Sequence, residues 1–130
     1  MLAVLLTIGT LSLVSVNAMT VDFAPDALNV ESQRKYFTVY LELPSGDVND
    51  IDIPTLVLKP NGFSIHVDTE APTTIGDYDN DGVPDLMVKF PADQMYDYFC
   101  MRGDVVLTVR GKLIDGTEIG GSDIVRIFEK

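Results

Sequence analysis

Four aspartates alternate with other residues in one short segment of the chain, and this spacing suits the binding of a metal ion. Residues 76–85 read Gly-Asp-Tyr-Asp-Asn-Asp-Gly-Val-Pro-Asp. Carboxylates at every second residue converge on one point when a loop wraps around a cation, and Gly82 permits the backbone conformation that turns the chain. The expected ligands are the side chains of Asp77, Asp79, Asp81 and Asp85 and the carbonyl oxygen of Val83.

Calcium is the ion that this ligand set favours, because oxygen donors of which four are anionic select a hard divalent cation over zinc or copper. The first six positions also match the EF-hand loop. However, the twelfth position of that pattern is Val88 and not a bidentate glutamate, and residues 86–90 are predicted to form a strand and not a helix. An EF-hand is therefore not predicted, and the alternative to a calcium loop is a solvated acidic turn.

The remaining polar clusters do not predict catalysis. Ser64, His66 and Asp68 alternate along one predicted strand, so their side chains point in parallel and cannot form a proton relay. Residues 47–52 are acidic but lack the glycine that bends a calcium loop, and a solvated hairpin is expected there. Since no phosphate-binding loop or dinucleotide fingerprint is present either, we do not expect an enzyme.

Composition excludes several classes of protein. The 130 residues carry a formal net charge of −11, which leaves no basic face for nucleic acid. An apolar fraction of 46% is too high for a disordered chain. A single cysteine permits neither an intrachain disulfide nor a multi-cysteine zinc site.

The first eighteen residues have the features of a secretory signal peptide. Residues 1–18 carry no charged side chain, are mostly apolar and end in Val-Asn-Ala, which suits cleavage after Ala18. An uncleaved anchor is the alternative, but Gly9, Thr10 and Ser12 interrupt a stretch that is already short for a membrane span. We therefore expect a secreted or cell-surface protein, with no membrane association after cleavage and with residues 19–130 as one domain.

Alternating β-branched and aromatic residues, separated by glycine, proline and aspartate turns, predict about seven short strands. Two of these strands, residues 35–43 and 105–113, are expected to bury their odd-numbered apolar residues, whereas Arg110 and Lys112 are expected to face solvent. One short helical segment is predicted near residues 91–99. The fold class expected is therefore an all-β antiparallel sandwich. The predicted strands are residues 20–23, 35–43, 51–59, 63–67, 86–90, 105–113 and 122–128.

Two resemblances to known families rest on quoted residues. The acidic loop followed by Asp-Leu-Met-Val at residues 85–88 resembles the calcium loops of FG-GAP and thrombospondin type 3 repeats, although those families carry many copies and this chain has one. A wider resemblance links the chain to a module that accompanies other domains in secreted and surface proteins of archaea and bacteria. The segments that carry it are residues 23–29, 38–44, 47–51 and 76–90.

What the wider resemblance implies is an immunoglobulin-like β-sandwich with a non-catalytic, structural or adhesive role. The function expected is therefore a secreted, calcium-stabilised structural or interaction module whose partner is a surface protein or a glycan. The alternative is a carbohydrate-binding module. Sugar platforms are commonly built from exposed aromatic rings, and tyrosines would have to provide them because the chain has no tryptophan.

Overall fold

The computed structural model describes residues 17–24, 27–29, 35–60, 63–92 and 103–128 of the 130-residue chain. Residues 1–16 of the predicted signal peptide lie outside these ranges, as do residues 93–99 of the predicted helical segment, so both remain predictions. No helix formed by the described residues is long and apolar enough to cross a membrane.

The described residues form ten strands, which are numbered here in chain order. Seven of them, β2, β4, β5, β6, β8, β9 and β10, correspond to the strands that the sequence predicts. The strands are β1 (Asn17–Ala18), β2 (Thr20–Ala24), β3 (Ala27–Asn29), β4 (Tyr36–Glu42), β5 (Ile51–Lys59), β6 (Ile65–His66), β7 (Thr74–Gly76), β8 (Asp85–Pro91), β9 (Gly103–Leu113) and β10 (Glu118–Phe128).

These strands pair into two sheets. Sheet A has the strand order β1-β10-β9-β5-β6, with β3 also pairing with β10, and sheet B has the order β2-β4-β8-β7. Neighbouring strands are antiparallel, except that β1 and β3 run parallel to β10. The prediction of an all-β antiparallel sandwich is confirmed, and the two parallel pairs at one edge are a feature that the sequence pattern does not predict.

One apolar core lies between the two sheets. Sheet B contributes Phe23, Phe37 and Phe90, each exposed by 1% or less, and sheet A contributes side chains such as Leu58 and Leu107, which are fully buried. The expected faces of β4 and β9 are confirmed, because their odd-numbered apolar residues point into this core or, at Leu113, pack against it. The even-numbered residues of β4 therefore lie on the outer face of sheet B, where the acidic loop also lies.

The chain passes from one sheet to the other at Met19. The Met19 amide donates a hydrogen bond to the Gly120 carbonyl on β10 (2.9 Å). A Cβ atom at Gly121 would lie 1.9 Å from the Met19 carbonyl oxygen, so only glycine allows this approach. Farther along the same edge, the Phe23 amide donates to the Asp123 carboxylate (2.9 Å), which further joins β2 to β10.

The connection between β4 and β5 shows a local difference from expectation. Residues 47–52 are predicted to form a solvated hairpin, but Val48–Asp50 forms a 3-10 turn that leads directly into β5. Asp47 caps this turn, because its carboxylate accepts a hydrogen bond from the Asn49 amide (2.9 Å). The buried side chain of Val48 attaches the turn to the core.

Candidate metal centre

The acidic loop connects two neighbouring strands of sheet B. It begins after β7, ends where β8 begins at Asp85, and contains two residues with positive φ: Asn80 at 59° and Gly82 at 87°. A Cβ atom at Gly82 would meet nothing within 4 Å, so the glycine is required for its backbone conformation and not for space. This agrees with the role that the sequence predicts for Gly82.

Backbone amides of the loop hold the aspartate side chains in place. The carboxylate of Asp77 accepts hydrogen bonds from the amides of Asp81 (3.1 Å) and Gly82 (2.8 Å). The carboxylate of Asp81 accepts one from the Val83 amide (2.8 Å), and that of Asp79 accepts one from the Asp81 amide (3.3 Å). Each carboxylate keeps free lone pairs after these bonds, so all of them can still coordinate a cation.

Three of the predicted ligands converge on one point. Asp77, Asp79 and Asp81 each offer a carboxylate oxygen within 4.8 Å of the other two, and all three residues are exposed. Oxygens at this separation can share one hard cation without a change in the backbone. A metal-binding role is thus open to these residues, while the identity of the metal is not defined by their geometry.

Asp85, the fourth predicted aspartate, lies deeper than the others. It is only 4% exposed, because the loop folds over the first residue of β8, and its carboxylate accepts a hydrogen bond from the Tyr78 amide (3.0 Å). Its second group of neighbours consists of Asp79 and Glu42, whose carboxylate oxygens lie within 4.8 Å. Asp79 therefore belongs to both groups of carboxylates. The Val83 carbonyl stays a predicted ligand.

Glu42 is the residue of this centre that the sequence analysis does not identify. It ends β4 on the outer face of sheet B, beside the position of Asp85 in the register that pairs Leu41 with Leu86. Burial, followed by hydrogen bonds to Asp85 and Asp81, raises the pKa of Glu42 from 4.5 to about 7. The alternation of β4 does place Glu42 on the outer face, but nothing in the sequence indicates which strand lies next to it.

The pKa values of the two central loop aspartates move in opposite directions. Partial desolvation raises the pKa of Asp79, and a hydrogen bond to Asp81 acts in the same direction. The Val83 amide lowers the pKa of Asp81, because it stabilises the ionised carboxylate. Without a cation, carboxylates this close cannot all ionise without repelling one another, and a divalent ion would remove that conflict.

A pocket of about 420 Å³ adjoins the carboxylates on the outer face of sheet B. Its walls include the rings of Tyr40 and Tyr78, whose centroids are 4.6 Å apart. The Tyr78 hydroxyl is hydrogen bonded to that of Thr74, and the residue is still 44% exposed. Asp79, which belongs to both carboxylate groups, also lines the pocket. An aromatic surface therefore lies directly beside the candidate metal centre.

The serine, histidine and aspartate of the β6 region have other hydrogen-bond partners. Ser64 receives a hydrogen bond from the Lys59 ammonium (3.2 Å), and the Asp68 carboxylate accepts one from the Glu70 amide (2.9 Å). His66 is exposed at the end of β6. These contacts hold a surface turn together and do not join the three side chains.

Comparison of the chain with protein-family models, with curated proteins and with solved structures finds no match. The functional argument therefore depends on the geometry of the fold and of the metal centre.

Proposed function

We propose that the chain is a secreted, non-catalytic β-sandwich module of the immunoglobulin-like type, stabilised by a calcium ion in the loop at residues 77–85. The observation that carries the proposal is the convergence of the Asp77, Asp79 and Asp81 carboxylates within 4.8 Å at a loop with the expected turn at Gly82. Carboxylate and carbonyl oxygens are the donors that calcium takes in proteins, at roughly 2.3–2.6 Å.

Strand order supports the immunoglobulin-like part of the proposal. In that fold, strands A, B, E and D form one sheet and strands C, F and G form the other. Sheet B, with the order β2-β4-β8-β7, corresponds to A-B-E-D when the strands are lettered in chain order. In sheet A, the order β10-β9-β5 corresponds to G-F-C, and β6 takes the place of an additional strand next to C.

The position of the loop indicates what calcium would do. The ligands lie on the outer face of sheet B, whereas the apolar core lies between the sheets. An ion that binds only the folded state adds about 2.7 kcal/mol to stability at a hundredfold excess over its Kd. Removal of calcium should therefore lower the melting temperature and leave the sandwich folded, as expected of a structural ion.

Thermal melting with and without a chelator tests this role. The purified protein should melt at a higher temperature in millimolar calcium than in EGTA, and Asp79→Ala should melt at the same temperature in both. Asp104→Ala is the matched control, because it removes an exposed aspartate of sheet A that is paired with Arg126. It should keep the full response to calcium. An unchanged melting temperature of the parent protein in EGTA would contradict the proposal.

Secretion and a non-catalytic role complete the proposal. The apolar segment at residues 1–18 supports export, and the hydrogen bonds of Ser64 and Asp68 to other residues remove the main sequence candidate for a catalytic relay. A module of this kind would act at a cell surface or beside an enzyme, with a surface protein or a glycan as its partner.

Carbohydrate binding is the second candidate function, and the pocket beside the metal centre favours it. The stacked rings of Tyr40 and Tyr78 offer an apolar face to a sugar ring, while neighbouring carboxylates can accept hydrogen bonds from sugar hydroxyls. A glycan array in calcium and in EGTA, repeated with Tyr78→Ala, separates the two functions. Glycan binding that is lost in the variant would favour this second function over a purely structural module.

A further inference from the structure

One oxygen of Glu42 is left without a hydrogen bond although it is buried. The Oε1 atom has almost no contact with solvent, and among the described residues it is the one buried side-chain oxygen or nitrogen without a partner. An unsatisfied buried polar atom costs roughly 1–3 kcal/mol, and more when the group is charged. Such an atom therefore needs an explanation in terms of a missing partner.

The neighbours of Glu42 are other acids and not bases. Carboxylate oxygens of Asp79 and Asp85 lie within 4.8 Å of its own, and Asp85 is 4% exposed. The two salt bridges between described residues, Arg110–Glu118 and Arg126–Asp104, both lie on sheet A. Like charges on adjacent strands destabilise a sheet, so this arrangement is favourable only with a positive charge at its centre.

We propose that Glu42 coordinates the same calcium ion as the loop aspartates, as a ligand supplied from the neighbouring strand β4. This inference rests on the proposed calcium site. Calcium takes six to eight oxygens, and an EF-hand obtains two of them from a glutamate at position twelve. The corresponding residue here, Val88, is fully buried in the core and cannot coordinate. Glu42 supplies the missing carboxylate from a position 35 residues before the loop.

Coordination by Glu42 changes what the ion does. The ligands then come from the end of β4, from the loop and from the first residue of β8, so one ion holds three parts of sheet B together. It also fixes the loop next to Tyr40, which is two residues before Glu42 on the same face of β4. The pocket between Tyr40 and Tyr78 would thus take its final shape only when calcium is bound.

Calcium titration of glutamine variants provides the first test. Glu42→Gln keeps the size of the side chain and removes its charge, so the sandwich should fold and calcium should bind roughly tenfold more weakly or worse, since ligand charge sets calcium affinity. Glu118→Gln is the control, because it removes a glutamate from sheet A, where its partner is Arg110. Its calcium affinity should equal that of the parent protein.

Terbium luminescence distinguishes coordination from a long-range charge effect. Terbium replaces calcium, Tyr78 lies close enough to sensitise it, and lifetimes in H2O and D2O count the water molecules on the ion. Glu42→Ala should increase this number by at least one. An unchanged water count or an unchanged affinity in the Glu42 variants would overturn the inference and leave the loop site intact. Failure of the parent protein to bind either ion would instead overturn the proposed function together with the inference.

Discussion

At the scale of single residues, the burial of Asp85 is the feature that most needs a cation. A carboxylate removed from water is costly unless its hydrogen bonds and its charge are both satisfied. The Tyr78 amide satisfies one oxygen, but the nearby side chains of Asp79 and Glu42 add negative charge. The fold therefore keeps an acidic group where an apolar one would cost less, and a calcium ion explains why.

The raised pKa of Glu42 predicts how the metal-free protein responds to pH. Its carboxyl keeps a proton up to about pH 7 in the folded state, whereas the unfolded chain releases it near 4.5. The stability that this difference contributes is complete below pH 4.5 and is lost as the pH rises to about 7. The melting temperature of calcium-stripped protein should therefore fall across this range.

Glu42→Gln separates this effect from the general repulsion of an acidic chain. Glutamine cannot titrate, so the variant should show a smaller fall in melting temperature between pH 4.5 and 7 than the parent protein. Asp81 does not interfere, because its pKa is lowered and its contribution changes only below the ordinary value of 3.8. Identical pH profiles for the two proteins would contradict the assignment of this proton to Glu42.

Residue types and spacing predict the loop ligands well but do not predict Glu42. The aspartates of the loop are local in sequence, and the turn at Gly82 follows from the need for positive φ. Glu42 joins them only through the pairing of β4 with β8. Strand register depends on the whole sheet, so a single sequence does not reveal such a neighbour.

At the scale of elements, the hairpin formed by β7, the acidic loop and β8 positions the site. β7 has only three residues, and it holds the start of the loop by pairing Gly76 with Asp85. A Cβ atom at Gly76 would lie 3.4 Å from the Tyr78 ring, so the glycine lets this ring pack against the strand. The loop thus has a fixed beginning and a fixed end, and a bound ion would order the residues between them.

The register of β9 predicts a contrast between two substitutions on the same strand. Val109 is fully buried, so Val109→Asp should place an unpaired charge in the core and cost roughly 4 kcal/mol or more. Val106 is 57% exposed on the opposite face, so Val106→Asp should cost about 1 kcal/mol or less. Urea unfolding of both variants measures the difference, and equal losses of stability would contradict this register.

Long alternating strands could be predicted from the sequence, and the short ones could not. β4 and β9 bury several apolar residues on one face, which makes the pattern readable. β3 and β7 have three residues each, too few to show a period. β10 begins at Glu118, four residues earlier than predicted, because Gly120 and Gly121 have weak strand propensity and are retained for the close approach of Met19.

At the scale of the whole molecule, the sites of stability are separated. The core between the sheets holds the sandwich together, while the acidic residues that contribute to a net charge of −11 are concentrated partly on the outer face of sheet B. Self-repulsion at that face opposes folding, and a divalent cation reduces it. Calcium should therefore adjust the stability of the module without determining its fold.

Export predicts the first residue of the mature protein. If cleavage follows Ala18, mass spectrometry of secreted protein should find Met19 at the amino terminus. The cleaved chain would lose the short pairing of β1 with β10 but keep the core position of Met19, which is 5% exposed. A secreted protein that retains Met1 would contradict the assignment of a signal peptide.

Isothermal titration of calcium into metal-stripped protein tests the central claim most directly. Asp79 belongs to both groups of carboxylates, so its removal affects every ligand set that the loop can form. We expect one calcium ion per chain in the parent protein and no measurable binding by Asp79→Ala. The absence of binding to the parent protein at millimolar calcium, or unchanged binding by the variant, would show that the loop is only an acidic turn.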